Sequence, residues 1–326
     1  MSAGTTVKAA VRRYLHERRQ LGFALKSPGT ELLRFARFAD TRCHQGALTQ
    51  ELQLEWAREH VLRTGPVTAA RRLEIVRPFA AYYRQFEVDT EVPASGILGR
   101  GHRRPAPHIY TDQEVRELLE HAGRLTPHGR LRPRMYRTLF GLIAAAGLRV
   151  SEALKLQVAD VDLNDATITV RQTKFRKSRC LPLHASVVQV LSEYRQVRDR
   201  HADPGANAPF FVSRTGGTLP VKTVENVFGR MRPRLKWQAR GDHINPRIQD
   251  LRHMFAGRRL QRWHEAGVSI DHAMFWLCTY LGHAKISDTY WYLTGVPELM
   301  DIAGADRKST RLNSSHESVS RMPSYA

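Results

Sequence analysis

Apolar side chains in the first hundred residues recur at helical spacing, and no stretch there alternates as a strand does. Val7, Val11 and Leu15 fall on one side of a helix, with arginines at the positions around them. Three further helices are predicted at residues 32–38, 52–62 and 68–86. Pro78 lies inside the last of these and is expected to kink or interrupt it, because proline lacks the N–H that a helix uses. The pattern predicts a small all-helical domain over residues 1–95.

The pattern in the second half of the chain predicts helices around one small sheet. Thr111-Asp112-Gln113-Glu114 has the spacing of a capping box that opens a helix. Residues 167–170 have strand character, and residues 179–183 are the predicted hairpin partner across a basic turn. Further helices are predicted at 139–146 (stopped by Gly147), 185–200, 221–231, 248–264 and 271–280, with a short extended segment at 210–212. The predicted fold class is therefore mainly α with a small antiparallel sheet.

Glycine and proline separate these two regions and predict a linker over residues 96–109. A second domain is predicted over residues 110–305. Residues 306–326 are rich in serine and have little hydrophobic periodicity, so they are expected to be a disordered or non-native tail.

The charge of the chain changes this picture from a generic helical protein to one that binds a polyanion. The formal net charge is +20. Residues 1–108 hold 18 basic and 10 acidic side chains, and residues 109–305 hold 29 and 19, so both halves are basic. A charge of this size favours nucleic acid as the partner over a merely solvated surface. No basic amphipathic segment with exposed aromatics and no long apolar run stands out, so no membrane partner is expected.

Cysteine and histidine give little support for a bound metal or cofactor. The three cysteines (Cys43, Cys180 and Cys278) are widely spaced and form no C-x-x-C pair, which is typical of a reducing cytoplasm. The 15 histidines form no convincing H-x-x-x-H or H-E-x-x-H pair, so no metal site is predicted. The sequence also lacks a GKS/T phosphate loop, and no nucleotide cofactor is expected.

Three short strings contain the groups needed to hold a phosphodiester and attack it. They are Gly147-Leu148-Arg149-Val150-Ser151-Glu152, Asp250-Leu251-Arg252-His253 and Leu281-Gly282-His283, the last followed nine residues later by Tyr292. Guanidinium groups can bind nonbridging phosphate oxygens bidentately, where charge grows in the transition state. A tyrosine can act as a nucleophile if neighbouring cations or a base assist it.

These strings resemble the signature boxes of the tyrosine recombinases, the integrase family of site-specific DNA recombinases. The resemblance spans about residues 110–300, and residues 1–95 resemble the core-binding domain of the family more loosely. The ending Asp288-Thr289-Tyr290-Trp291-Tyr292-Leu293 is similar to that of recombinases encoded by transposons and plasmids. The resemblance implies a catalytic domain at 110–305, double-stranded DNA as the partner, a homotetramer on paired sites, accessory DNA-binding proteins and a 3′-phosphotyrosine intermediate.

The resemblance also implies roles for single residues. Arg149 and Arg252 would contact the scissile phosphate, His283 would hydrogen-bond a nonbridging oxygen, and Tyr292 would be the nucleophile. Lys174 would be the general acid for the departing 5′-oxygen, since an ammonium can deliver a proton that a guanidinium does not readily give up.

Several neighbouring residues remain as alternatives or supporting groups. Lys177 competes with Lys174 on the predicted basic turn, and Tyr290 and Tyr194 are rivals of the nucleophile in composition only. Glu152 is expected to orient the cluster, and His253 is expected to be a packed, hydrogen-bonded helix residue.

One position departs from the pattern of the family, which usually has histidine three residues before the second arginine. Here that position is Gln249, which can donate a hydrogen bond to phosphate but cannot accept and relay a proton. Reduced but real activity is expected, because charge stabilisation by the arginines is the larger effect. Two alternatives stay open: a catalytically weakened or inactive DNA-binding relative, and type IB topoisomerase-like strand relaxation.

Overall fold

The computed structural model describes residues 6–101, 105–127, 131–171 and 178–293. The chain divides into two compact units between residues 104 and 105, within the segment 96–109 that was predicted as a linker. The helices of the first unit are α1 (Val7–Gln20), α2 (Lys26–Thr41), α3 (Gln50–Arg58), α4 (Val61–Thr64) and α5 (Pro66–Tyr83).

The first unit is held together by an aromatic core that its longer helices share. Phe35 on α2 is fully buried, and its ring centroid lies 5.3 Å from that of Trp56 and 6.4 Å from that of Phe79. Helix α5 runs through Pro78 without a break, so the expected interruption is wrong. The buried residues on both sides of this proline, Val76 and Phe79, hold the helix against the core.

The predicted single helix at 52–62 is also wrong. Helix α3 ends at Arg58, and His60 takes a left-handed conformation with φ of 68° before α4 begins. Leu62, which had extended the apolar pattern, has a relative exposure of 102%. The apolar spacing in residues 52–62 therefore continues beyond the last residue of this segment that is buried in the core.

The second unit is mainly helical with one small three-stranded sheet, which confirms the predicted fold class. The helices are α6 (Asp112–Gly123), α7 (Leu131–Ala146), α8 (Val150–Ala153), α9 (Ala185–Arg198), α10 (Val221–Leu235), α11 (Ile248–Glu265), α12 (Ile270–Leu281) and α13 (Ser287–Tyr290). The strands are β1 (Val161–Asp162), β2 (Thr167–Val170) and β3 (Arg179–Pro182), antiparallel in the order β1-β2-β3. Strand β1 is only two residues long, too short to leave a periodic signal. Among the described helices, none has the length and hydropathy needed to cross a bilayer.

The predicted capping box of α6 is confirmed and does more than start a helix. Thr111 accepts a hydrogen bond from the Glu114 N–H at 3.1 Å, and Glu114 accepts one from the Thr111 N–H at 2.9 Å. The buried Glu114 carboxylate also bonds to the Arg240 guanidinium. The Tyr110 hydroxyl donates to the Arg247 carbonyl at 3.0 Å. These bonds fix the segment that leads into α11.

Gly147 ends α7 as predicted and turns the chain toward Arg149. It has φ of 62°, a conformation in which a side chain is strained. A Cβ atom at this position would also lie 2.3 Å from the ring of Phe255 on α11. The close packing of α7 against α11 therefore requires glycine here.

We expect Gly147→Ala to lower the free energy of unfolding by about 2–4 kcal/mol, from the left-handed backbone and the overlap with Phe255. The matched control is Gly229→Ala inside α10, where a Cβ atom meets nothing within 4 Å. That change is expected to raise stability by about 0.5–1 kcal/mol, since glycine is unfavourable within a helix. Urea unfolding of both variants measures the difference, and equal effects would contradict the packing argument.

Candidate active site

Arg252 lies at the centre of the site and is fully buried on the second turn of α11. Its Nε donates to the Tyr292 hydroxyl at 3.0 Å, and its Nη1 donates to the Gly147 carbonyl at 2.8 Å. Its Nη2 lies 2.9 Å from the Leu281 carbonyl and 3.2 Å from Nε2 of His283. One guanidinium therefore joins the ends of α7 and α12 to the predicted nucleophile.

A buried carboxylate, that of Glu152, lies between three guanidinium groups. Its Oε1 is 2.6 Å from Nη1 of Arg149, and its Oε2 is 2.9 Å from Nη2 of Arg179 and 3.5 Å from Nη1 of Arg252. Burial alone raises the pKa of Glu152, but the hydrogen bond and charge of Arg179, the Arg149 N–H and the charge of Arg252 together lower it to about 2. Glu152 is therefore ionised at neutral pH.

The hydrogen bonds of His283 define its tautomer. Because a guanidinium can only donate, Nε2 of His283 must accept from Arg252. Its Nδ1 then carries the hydrogen and donates to Thr289 Oγ1 at 2.8 Å. Burial, followed by the charges of Arg252 and Arg149, lowers the pKa of His283 to about 4. The ring is thus neutral at pH 7, and in this arrangement its only N–H is directed at Thr289.

Tyr292 is buried between two imidazole rings. Its ring is nearly parallel to that of His283, at a centroid distance of 5.7 Å, and tilted against that of His253 at 4.7 Å. Burial lowers the pKa of His253 to about 4. His253 is packed, as expected, but its buried Nδ1 has no hydrogen-bond partner among the described residues, so the expected bond there is not found.

Gln249 and Arg149 lie at a different part of the site. Both line a groove of about 480 Å³, together with Arg232 and Arg247. Gln249 is exposed, and the guanidinium side chain of Arg149 is 30% exposed. The buried residues Arg252 and Tyr292 and the half-buried His283 do not line this groove. The structure therefore places one arginine at the surface of the site and the other in its interior.

Four predicted or competing residues remain to be located. Lys174 and its competitor Lys177 lie outside the described residues. Tyr194 is buried in the core, where its hydroxyl donates to the Phe210 carbonyl at 3.3 Å. The Tyr290 hydroxyl donates to Asp271 at 3.4 Å. Neither rival tyrosine thus contacts Arg252 through its hydroxyl.

Arg179 is the residue of this cluster that the sequence interpretation did not single out. It was counted only as the first residue of a hairpin strand after a basic turn. The signal that could have found it is its position at the end of the basic segment that precedes β3. Its contact with Glu152 depends on the tertiary fold, because the two residues are 27 positions apart.

The similarity of the chain to known proteins identifies its family. The sequence profile of the Phage integrase family matches residues 109–296, more than half of the chain. The chain belongs to the phage integrase family. This member is 38% identical over 300 residues to the putative integrase/recombinase y4rB of Sinorhizobium fredii, covering 91% of this chain and 95% of that protein. It is 27% identical to the tyrosine recombinase XerC of Chromobacterium violaceum, covering 87% and 89% of the two chains.

Solved structures show that this chain has the fold of its family. The Tn1549 transposon integrase in complex with transposon right end DNA matches with a TM-score of 0.67 at 18% identity, covering 93% of this chain and 99% of the other. The XerH recombinase bound to a palindromic difH substrate matches with a TM-score of 0.65 at 18% identity, covering 90% and 83%. At this identity the likeness concerns the fold.

The two neutral histidines around Tyr292 predict a pH-dependent stability of the integrase. The folded-state pKa of His253 and His283 is about 4, below the ordinary value of 6.5. Between these values the unfolded chain binds protons that the folded chain does not. The free energy of unfolding is therefore expected to fall as pH is lowered from about 6.5 toward 4, by about 1.4 kcal/mol per pH unit for each histidine.

Urea unfolding at several pH values, with His253→Gln, tests this expectation. The variant removes one of the two contributions, so its stability should fall less steeply with decreasing pH. His16→Gln on the exposed side of α1 is the matched control and tests whether the effect depends on burial. A slope that His253→Gln leaves unchanged would contradict the assignment.

Proposed function

We propose that this chain cleaves and rejoins duplex DNA at specific sites through a covalent intermediate in which Tyr292 is joined to a 3′-phosphate. The observation that carries the proposal is the contact between Tyr292 and Arg252, whose Oη and Nε are 3.0 Å apart. A buried guanidinium beside a phenol stabilises the phenolate and can hold the phosphate that the phenolate attacks. Family membership adds independent support.

The proposed site uses its two arginines in different ways. Arg149 is partly exposed at the groove and can give N–H donors to a phosphate directly. Arg252 has its donors directed at protein acceptors, including the Nε2 of His283. When a phosphate oxygen accepts from Nη2 of Arg252, Nε2 of His283 loses that hydrogen bond. In the other tautomer Nε2 carries the hydrogen, and His283 can then donate to the same phosphate. Burial strengthens each of these interactions, because the local dielectric is low.

The proposed cleavage step exchanges one phosphodiester for another. The Tyr292 oxygen bonds to phosphorus, and the bond from phosphorus to the 5′-oxygen breaks. The phenol releases its proton to solvent, and the 5′-oxygen gains one from Lys174, which we assign as the general acid and which solvent then reprotonates. Rejoining is the reverse, with the 5′-hydroxyl attacking and Tyr292 leaving. Because the bond energy is conserved, the reaction needs no nucleotide cofactor, and we propose that arginine charge takes the place of a metal ion.

We further propose that the chain acts as a homotetramer on paired sites in double-stranded DNA, with residues 1–95 as the core-binding domain and residues 110–305 as the catalytic domain. Both regions have a net positive charge, which suits binding to a phosphate backbone. The similar structures include a lambda integrase dimer bound to a core site as well as the XerH and Tn1549 complexes with DNA. Accessory DNA-binding proteins belong to this proposal.

Tyr292→Phe tests the proposed nucleophile. The variant should bind DNA with nearly unchanged affinity, because most of the affinity comes from basic side chains, and should form no covalent adduct. The substrate is duplex DNA flanking the chain's own gene, nicked so that the cleaved strand is lost, and adducts are separated on denaturing gels. Tyr290→Phe is the matched control and should keep the adduct.

The wild-type reaction should also persist in EDTA, since no metal ion takes part in the proposed step. An adduct that survives Tyr292→Phe would remove this residue from its role. Binding without an adduct in the wild-type protein would favour the inactive DNA-binding alternative. Relaxation of supercoiled plasmids that lack a target site would favour the topoisomerase alternative.

Gln249→His tests whether glutamine, at a position where the family usually has histidine, limits the reaction. Histidine at this exposed position can relay a proton as well as donate a hydrogen bond, so adduct formation is expected to become about tenfold faster or more. Gln261→His, on an exposed face of the same helix α11, is the matched control. Single-turnover kinetics measure both variants, and an unchanged rate for Gln249→His would show that the glutamine does not limit the reaction.

A further inference from the structure

We infer that Arg179 is a positioning residue of the proposed strand-transfer reaction, on which this inference rests: it holds the Glu152 carboxylate in place so that Arg149 presents its guanidinium to the groove. Arg179 is the first residue of β3, whereas Glu152 and Arg149 lie at α8. The inference thus connects the sheet of the second unit to the phosphate-binding arginines.

The contacts of Arg179 with Glu152 fix the plane of the carboxylate. Nη2 of Arg179 lies 2.9 Å from Oε2, and its Nη1 lies 3.5 Å from Oε1. Oε1 also accepts from Nη1 of Arg149 at 2.6 Å, and Oε2 accepts from the Arg149 N–H at 3.0 Å. Both oxygens are therefore shared between the two arginines. A two-point grip sets direction as well as distance, which a single bond does not.

Arg179 also touches the loop that carries His283. Gly282 ends α12 with φ of 68°, and a Cβ atom there would lie 2.9 Å from Nη1 of Arg179. The guanidinium therefore packs directly on the backbone before His283. Burial and the charges of Arg252 and Arg149 are the larger causes of the low pKa of His283, and the charge of Arg179 adds to them.

The burial of Arg179 favours an indirect role over direct phosphate binding. Its side chain is only 11% exposed, both Nη groups point at Glu152, and it does not line the groove that contains Arg149. Its Nε is buried with no hydrogen-bond partner in the described part of the chain. Without Arg179, the carboxylate would be left to Arg149 and Arg252 alone. It would then compete with the phosphate for their N–H donors.

The test compares Arg179→Met and Arg179→Lys with the matched control Arg171→Met. Arg171 lies just after β2, is paired with Asp160, and has a side chain that is 56% exposed. Arg179→Met should slow single-turnover adduct formation by about 10- to 100-fold, while DNA affinity changes by less than about threefold. Arg179→Lys should restore part of the rate, and Arg171→Met should leave it unchanged.

The pH dependence of adduct formation separates positioning from a general loss of structure. Loss of the Arg179 charge raises the pKa of Glu152, which Arg179 lowers through its hydrogen bond and charge, and to a smaller extent the pKa of His283. The acid limb of the rate profile should therefore move to higher pH in Arg179→Met. It should not move in Arg179→Lys, which keeps the charge, or in Arg171→Met. A misfolded variant would form less adduct at every pH without a shift of the acid limb. Circular dichroism checks the folding of each variant.

An Arg179→Met variant with the wild-type rate and pH profile would overturn the inference. A rate loss with an equal loss of DNA affinity would also overturn it, because Arg179 would then act in binding. Failure of the proposed function has a different signature, since the wild-type protein and Arg171→Met would then form no adduct either.

Discussion

The fold of the second unit depends on a charge cluster in which Arg149, Arg179 and Arg252 share the buried carboxylate of Glu152. Buried charges are unfavourable unless they are paired and fully hydrogen-bonded, so every element that supplies a partner must be in place. Arg252 meets this requirement with the carbonyls of two helix ends as well as Glu152. The surplus of positive charge is suited to an anionic ligand, and a DNA phosphate is the one we propose.

The same burial determines what kind of chemistry the site favours. Both imidazoles beside Tyr292 are neutral at pH 7, and His283 uses its N–H on Thr289. The group that donates a hydrogen bond to the phenol hydroxyl is a cation, Arg252. This arrangement therefore favours stabilisation of negative charge over relay of a proton. That balance is in keeping with Gln249 at a position where the family usually has histidine.

Sequence patterns predicted the longer helices of both units and the β2–β3 hairpin, because burial of an apolar face leaves a period that can be read directly. They failed where tertiary structure decides. The pattern through Leu62 continued beyond the core, and Pro78 was tolerated inside a well-packed helix. The three strings singled out Arg252 as a candidate site residue, whereas periodicity alone would make it an ordinary surface arginine. The contacts of Arg252 with the Gly147 and Leu281 carbonyls, and those of Arg179 with Glu152, join elements far apart in sequence and could not be predicted.

The most direct test of this account is to identify the atom to which cleaved DNA is joined. A trapped adduct is digested with a protease, its DNA is trimmed by a nuclease, and the peptide that carries the remaining nucleotide is fragmented in a mass spectrometer. The account predicts the added nucleotide mass on Tyr292. The same mass on Tyr290 or any other side chain would contradict it.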